Sequence, residues 1–241
     1  METILDIQNL NKHFGGIKVA ENLNLSLLKS SITGISGDNG VGKTTLFNMI
    51  SGFEKSDSGS IHFKGQNISN KSVIQRAQLG MGRLFQTPRI FSEVTVLDNL
   101  MASSKYTTGH SLFKYLFKKR IIDDEERANI EKATEILNYF SLLEKSRLKA
   151  YELSVGEKKL LSLGSLLMNG ANFILLDELT SGINYKMKDR LNAILSGLHS
   201  FLNFSYIDGF PTILMIEHDL DILNDICKQN YKLEDGKLYS L

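Results

Sequence analysis

The chain has 241 residues, 42% hydrophobic and 23% charged, ample for one buried core with lobes attached. A net charge of +1 carries no electrostatic footprint of a nucleic-acid partner, and a single cysteine, Cys227, excludes an internal disulfide and fits a reduced cytosol. No apolar run approaches the roughly 20 residues that cross a bilayer, and the first residues carry Glu2 and Asp6 without the apolar centre of a secretory signal, so any membrane contact is expected only through partners.

In chain order, Ile4, Leu5, Ile7 and Leu10 open a strand-like lead. His13-Phe14-Gly15-Gly16 reads as a turn. Residues 19–27 follow, with Leu23, Leu25 and Leu27 alternating against Asn22, Asn24 and Ser26, the pattern of a half-buried strand. Residues 32–35 are a short apolar run, read as a buried strand. Directly after it comes Gly37-Asp38-Asn39-Gly40-Val41-Gly42-Lys43-Thr44-Thr45, and then Leu46, Phe47, Met49 and Ile50 at helical spacing. Strand, glycine-rich turn and helix are the setting of a phosphate loop. Gly37, Gly40 and Gly42 let consecutive N–H groups converge, and the helix dipole adds positive potential at the same place. Lys43 brings a point charge to the terminal phosphates, and the Thr44 hydroxyl is placed to ligate Mg2+. The chain is therefore expected to bind a nucleoside triphosphate.

Turns are expected at 56–59 and 65–67, with a strand over 60–64, a short helix over 72–79 and an extended segment over 80–86. From 94 to about 150 the spacing turns helical, through Leu97, Leu100 and Met101 and through Ile130, Ala133, Ile136, Leu137 and Phe140. An aromatic and basic stretch, 112–120, lies between, either a solvated helix face or a surface for membrane domains or anionic headgroups. A helix over 155–168 leads to the apolar strand 173–176, which ends in Asp177-Glu178. A helix over 186–198, an exposed loop over 201–211, a strand over 212–216 ending at Glu217-His218, then a short helix and two short strands around Asp235-Gly236 complete the chain. The fold class read from this order is α/β: a P-loop NTPase core with a mostly parallel sheet, an N-terminal antiparallel β part and an inserted helical subdomain at roughly 88–168. Ligands of such sheets lie at the strands' C-terminal ends, where the phosphate loop, Asp177-Glu178 and His218 all fall.

Asp177 at such a strand end is suited to hold Mg2+, and Glu178 beside it to orient or deprotonate an attacking water. His218 ends a strand that is free to lie beside the Asp177 strand and to reach a terminal phosphate. Leu153-Ser154-Val155-Gly156-Glu157 precedes a helix. Ser154 with Glu157 three residues on forms a capping box, which accounts for the stretch by itself; a helix N-terminus bearing Ser and Gly is also an anion site.

Together these elements resemble the ATP-binding subunits of ABC transporters, from Leu5 to Leu238. Phe14 is similar to the aromatic residue that stacks on adenine, and residues 37–45, with Gly37, Asn39, Gly40, Gly42, Lys43, Thr44 and Thr45, to the Walker A loop. Gln86, after Arg83-Leu84-Phe85, resembles the Q-loop glutamine that touches Mg2+ and senses the membrane domain. Ser154, Gly156 and Glu157 sit where the signature loop belongs. Residues 173–178 resemble Walker B with its catalytic glutamate, Ser181-Gly182-Ile183-Asn184 the D-loop, and His218 the switch histidine. The resemblance implies a single ABC ATPase domain over 1–241, a Mg2+-dependent ATPase that pairs with a second ABC ATPase subunit, as homo- or heterodimer. Each ATP would lie between Walker A of one subunit and the signature of the other. Closure would drive transmembrane permease subunits, with the chain peripheral on the cytoplasmic face of the inner membrane.

Finer details are similar to the branched-chain amino acid importer type: His13-Phe14-Gly15-Gly16, the segment 89–96, the long helical insert after Ala102, Ser181-Gly182-Ile183-Asn184, and Ile216-Glu217-His218-Asp219-Leu220. Lipid or lipopolysaccharide exporters carry similar cassettes, and a soluble ABC ATPase without a transporter is a further reading. The chain departs from the family at Val155, where glycine is usual and where a β-branched residue resists positive φ, at Glu157, where glutamine is common, and at Leu179, where proline is usual.

Overall fold

The structure is a computed structural model that describes residues 2–104, 119–204 and 210–241. Residues 105–118 of the expected helical insert, with most of the aromatic and basic stretch, and residues 205–209 of the expected loop lie outside the described residues. The chain divides into two compact units, one made of Met1–Gln86, Ala171–Ser181 and Phe210–Leu241, the other of Thr87–Gly170 and Gly182–Gly209.

The first unit holds two sheets. One is antiparallel, in the order β2-β1-β4-β5, from β1 (Thr3–Phe14), β2 (Ile17–Leu28), β4 (Ser58–Phe63) and β5 (Gln66–Asn67). The period-two pattern of β2 buries Leu23, Leu25 and Leu27 and leaves Asn24 and Ser26 exposed. The turn expected over 65–67 is tighter than that. Lys64 and Gly65 take φ of 50° and 75°, the two left-handed residues of a type I′ hairpin, so Gln66 and Asn67 already pair with Phe63 and His62.

The second sheet runs β10-β9-β3-β8-β7-β6, from β3 (Ile32–Ser36), β6 (Met81–Leu84), β7 (Phe173–Asp177), β8 (Thr212–Ile216), β9 (Gln229–Glu234) and β10 (Lys237–Ser240). Neighbours are parallel except for the edge pair β9 and β10. Every residue of β3, β7 and β8 is buried, as a sheet covered on both faces requires; 173–176 of β7 and 213–216 of β8 are unbroken apolar runs, and β3 buries Thr33 and Ser36 beside its isoleucines. In register, Ile216 of β8 stands opposite both Ile35 of β3 and Asp177 of β7. The three strands that deliver the phosphate loop, the acid pair and His218 therefore end level and side by side. The core beneath them includes Leu5, Ile7, Phe47, Phe63, Phe173 and Leu214, with the rings of Phe63 and Phe173 edge to face at 5.7 Å.

The helices of this unit are α1 (Lys43–Ser51), α2 (Val73–Gln78) and, late in the chain, α7 (Leu220–Ile226). Arg76 of α2 is 3% exposed and caps the far end of α1. Its Nη1 donates to the carbonyls of Met49 and Ile50 at 2.6 and 2.7 Å, its Nη2 to Ser69 and its Nε to Lys71. A cation is thereby fixed at the negative end of the phosphate-loop helix, on carbonyls the helix itself leaves unpaired.

The second unit is helical: α3 (Val96–Ala102), α4 (Lys119–Tyr139), α5 (Val155–Met168) and α6 (Tyr185–Phe204). Helices α3, α4 and α5 meet at Gly164, where a Cβ would stand 3.0–3.3 Å from Ile136, Leu100 and Phe140. Of the expected apolar face of α4, Ala133, Ile136 and Leu137 are fully buried while Ile130 remains 40% exposed. Helix α6 outruns its expected span because its later turns have packing partners: Phe201 stacks on Tyr139 at 4.1 Å, and the Tyr139 hydroxyl donates to the Ile194 carbonyl at 2.6 Å.

Candidate active site

Between β3 and α1 the chain turns through Gly37, Gly40 and Gly42, at φ of 149°, 79° and 109°. Gly42 is the N-cap of α1, and a Cβ there would lie 2.5 Å from Val19 Cγ1. Position and conformation both demand glycine. No side chain caps α1 and no acid stands in its first turn, so the helix N-terminus offers its N–H groups and dipole to an outside anion. Asn39, Gly40 and Thr44 are exposed and Thr45 half-buried. Lys43 is buried and curls back on the loop, its Nζ donating to the carbonyls of Gly37 and Asp38 at 2.7 and 2.8 Å. Burial pulls the Lys43 ammonium below the usual lysine range, against the opposing pull of Glu178, Asp38 and Asp177.

Asp177 closes β7 with its side chain 8% exposed, and accepts from Arg83 Nη2 at 2.8 Å. Arg83 comes from β6 and also reaches α1, through Nη1 to Asn48 Oδ1 at 2.7 Å and Ser51 Oγ at 3.1 Å. Its guanidinium lies 4.8 Å from the Phe85 ring centre and 5.8 Å from those of Phe47 and Phe53. Glu178, next in the chain, has a left-handed backbone, φ 49°. Its N–H donates to Ile216 O at 3.0 Å. Its carboxylate takes Gln86 Nε2 on one oxygen at 2.9 Å and meets His218 Nε2 on the other at 3.0 Å. Gln86, Glu178 and His218, scattered in sequence, thus converge where β6, β7 and β8 end.

Two groups that sequence reasoning passed over stand beside them. Arg83 is one; its cue was a charge inside a short, otherwise apolar strand. The other is Glu217, 2% exposed, whose Oε1 accepts from the Thr180 N–H at 2.9 Å and Oε2 from the Thr180 hydroxyl at 2.8 Å. Phe14 is 47% exposed, with Lys12 Nζ held 4.9 Å over its ring by Glu54 and Asp57.

In the second unit Ser154 caps α5. Its Oγ accepts from the Glu157 N–H at 3.3 Å, and its own N–H donates to Glu157 Oε2 at 3.0 Å, completing the capping box. Lys145 Nζ sits 2.8 Å from Glu157 Oε1. Burial pushes the Glu157 carboxyl up, but the Lys145 ammonium and the Ser154 hydrogen bonds together outweigh it and hold it below the usual carboxylate range. Gly156 packs against Met187, whose Cγ would lie 2.3 Å from an added Cβ. Val155 is 52% exposed at the first helical position and absent from the residues with positive φ. The backbone strain expected of it therefore does not arise, because an N1 residue takes ordinary helical angles that valine accepts.

Residues 20–181 match the family described as ABC transporter. The chain belongs to this ABC transporter family. It is 35% identical over 98% of its length to a protein of Methanocaldococcus jannaschii named "Probable branched-chain amino acid transport ATP-binding protein LivG", covering 88% of that protein. It is 30% identical, again over 98% of the chain and 89% of the relative, to the "High-affinity branched-chain amino acid transport ATP-binding protein LivG" of Escherichia coli K12. Among solved structures, the ADP conformation of an ATP-binding cassette of an ABC transporter superposes with a TM-score of 0.79 at 34% identity, covering 99% of this chain and 90% of that one. The chain is thus an ABC-type ATP-binding protein, with the expected P-loop α/β core. Among its described residues no helix is long and apolar enough to cross a membrane.

Proposed function

We propose that the whole chain, 1–241, works as a single ABC ATPase domain that hydrolyses ATP to power a membrane transporter, and that its cargo is a branched-chain amino acid taken into the cell. The observation that carries the hydrolytic part is the Glu178 carboxylate, held between Gln86 and His218 at the level strand ends beside the phosphate loop. A carboxylate oxygen can take more than one hydrogen bond, so the side chain can accept a proton from an attacking water while Gln86 and His218 fix its direction. The bare N-terminus of α1 and Lys43 bind the phosphates, and Phe14 stacks on the base. Thr44, Gln86 and Asp177 offer hydroxyl, amide and carboxylate oxygens, the hard donors that suit Mg2+, which would neutralise phosphate charge there. The Ser154-capped end of α5, with Gly156 and Glu157, would present a hydroxyl and a helix dipole to the nucleotide of a partner ATPase subunit, making hydrolysis depend on pairing. The names of the relatives, branched-chain amino acid transport ATP-binding proteins, support the amino acid cargo; the chain would then work on the cytoplasmic face of the membrane, against permease subunits.

Steady-state ATPase assays and ATP titrations on the full chain test this. Glu178→Gln should keep ATP binding and lose at least about a hundredfold in turnover, the scale of a lost general base. Lys43→Ala should lose ATP binding. Wild-type turnover in the first variant, or wild-type affinity in the second, would sink the assignment.

A further inference from the structure

We infer that Glu217 is a positioning residue for the hydrolytic centre: through Thr180, its buried carboxylate holds Glu178 in the backbone conformation that presents the Glu178 side chain to His218 and Gln86. The inference rests on the reading of Glu178 as the group that activates water.

A carboxylate only 2% exposed is costly unless its oxygens are satisfied. Glu217 spends one oxygen on the Thr180 N–H at 2.9 Å and the other on the Thr180 hydroxyl at 2.8 Å, a two-point clamp on a single buried residue. Thr180 follows Glu178 by two positions, and Glu217 precedes His218. The clamp therefore closes a ring that runs from Glu178 through Leu179 and Thr180, across to Glu217, on to His218, and back to Glu178 Oε1 at 3.0 Å. The Glu217 N–H adds a link to the phosphate-loop strand, donating to Ile35 O at 3.3 Å.

The part of the ring that needs holding is Glu178. Its φ of 49° is a conformation that L side chains other than Asn and Asp rarely take, and such a residue persists only where its surroundings over-determine it. Two backbone bonds contribute, from the Glu178 N–H to Ile216 O and from the Ser181 N–H to Glu178 O at 3.2 Å. The clamp on Thr180 adds a side-chain restraint between them. A carboxylate accepts from the Thr180 N–H and from the Thr180 hydroxyl at once, which leaves the hydroxyl proton committed to the clamp. A glutamine of the same size brings one acceptor and one donor, and its NH2 would face either an N–H or a hydroxyl that must then turn away.

The test is steady-state ATPase kinetics and ATP titration on the full chain, with Glu217→Gln, Thr180→Val and Thr180→Ser in the wild-type and Glu178→Gln backgrounds. Glu217→Gln should lower kcat by about 10- to 100-fold, as loss of a supporting shell does, with KM and ATP affinity within about threefold. Thr180→Val, which loses the hydroxyl, should lower kcat by about tenfold, and Thr180→Ser, which keeps both donors, should stay within about twofold. In the Glu178→Gln background, adding Glu217→Gln should leave the residual rate unchanged, because the group it positions is gone. Full kcat in Glu217→Gln, or an undiminished loss in the Glu178→Gln background, would overturn the inference. Should Glu217→Gln not fold, the contrast between Val and Ser at 180 decides alone. Wild-type turnover in Glu178→Gln would remove the reading of Glu178 and this inference with it, whereas loss there beside full turnover in Glu217→Gln removes the inference alone.

Discussion

Arg83 reaches Asn48, Ser51 and Asp177 from one planar guanidinium, so a single side chain joins β6, the phosphate-loop helix and the end of β7. With both side chains of the Arg83–Asp177 pair below a tenth exposed, losing the arginine leaves a buried carboxylate without its partner. Arg83→Leu should destabilise the protein by about 3–5 kcal/mol, read from urea midpoints. Arg83→Lys should recover only part of that, since an ammonium cannot fork between two elements. An unchanged midpoint in the leucine variant would show the pair to be idle. Neither this pair nor the Thr180–Glu217 clamp was legible in the sequence. The partners lie 94 and 37 residues apart, on strands whose adjacency no local pattern reveals. Glu178 was legible as a candidate because it closes an apolar strand, His218 as a weaker one for the same reason, and Gln86 only through the family resemblance. That they meet is a fact of strand order, not of spacing.

At the scale of elements, the buried strands β7 and β8 were readable because an apolar run of four has few other uses in a chain with this punctuation, and β3 because its short, mostly apolar segment leads straight into the glycine-rich turn. The two-residue β5 was not, because a turn and a paired residue have the same polar composition. The reach of α6 was missed because its later turns are set by the Tyr139 stack rather than by periodicity. Helix α5 began where its capping box placed it, and that cap carries a pH dependence. The folded chain holds Glu157 below its ordinary 4.5, so its contribution to stability is complete above that value and is lost as pH falls through the folded value. In thermal melts, the advantage of the wild type over Glu157→Gln should therefore be constant near neutrality and shrink once pH drops below about 4.5. A difference that stays flat through the acid range would mean that the Lys145 and Ser154 contacts add nothing.

For the molecule as a whole, no helix among the described residues is long and apolar enough to cross a membrane, and the proposed transport role needs membrane partners. A tagged chain drawn from its native membranes in mild detergent should bring multi-span membrane proteins and a second ATP-binding subunit with it, identified by mass spectrometry. A periplasmic binding protein among them would support import. Recovery of soluble partners alone would turn the reading towards an ABC ATPase that serves no transporter. The left-handed backbone of Glu178 has a consequence for the history of such a chain. Glycine or asparagine would sit there with less strain, and neither carries a carboxylate, while aspartate, which tolerates the conformation too, carries one that is a methylene shorter than the reach to Gln86 and His218. A population of variants selected for heat resistance should drift towards those two residues at 178, while one selected for growth on transported cargo should keep glutamate. The position marks where stability and activity part as selective demands, so the most stable descendants of this chain would be its poorest engines.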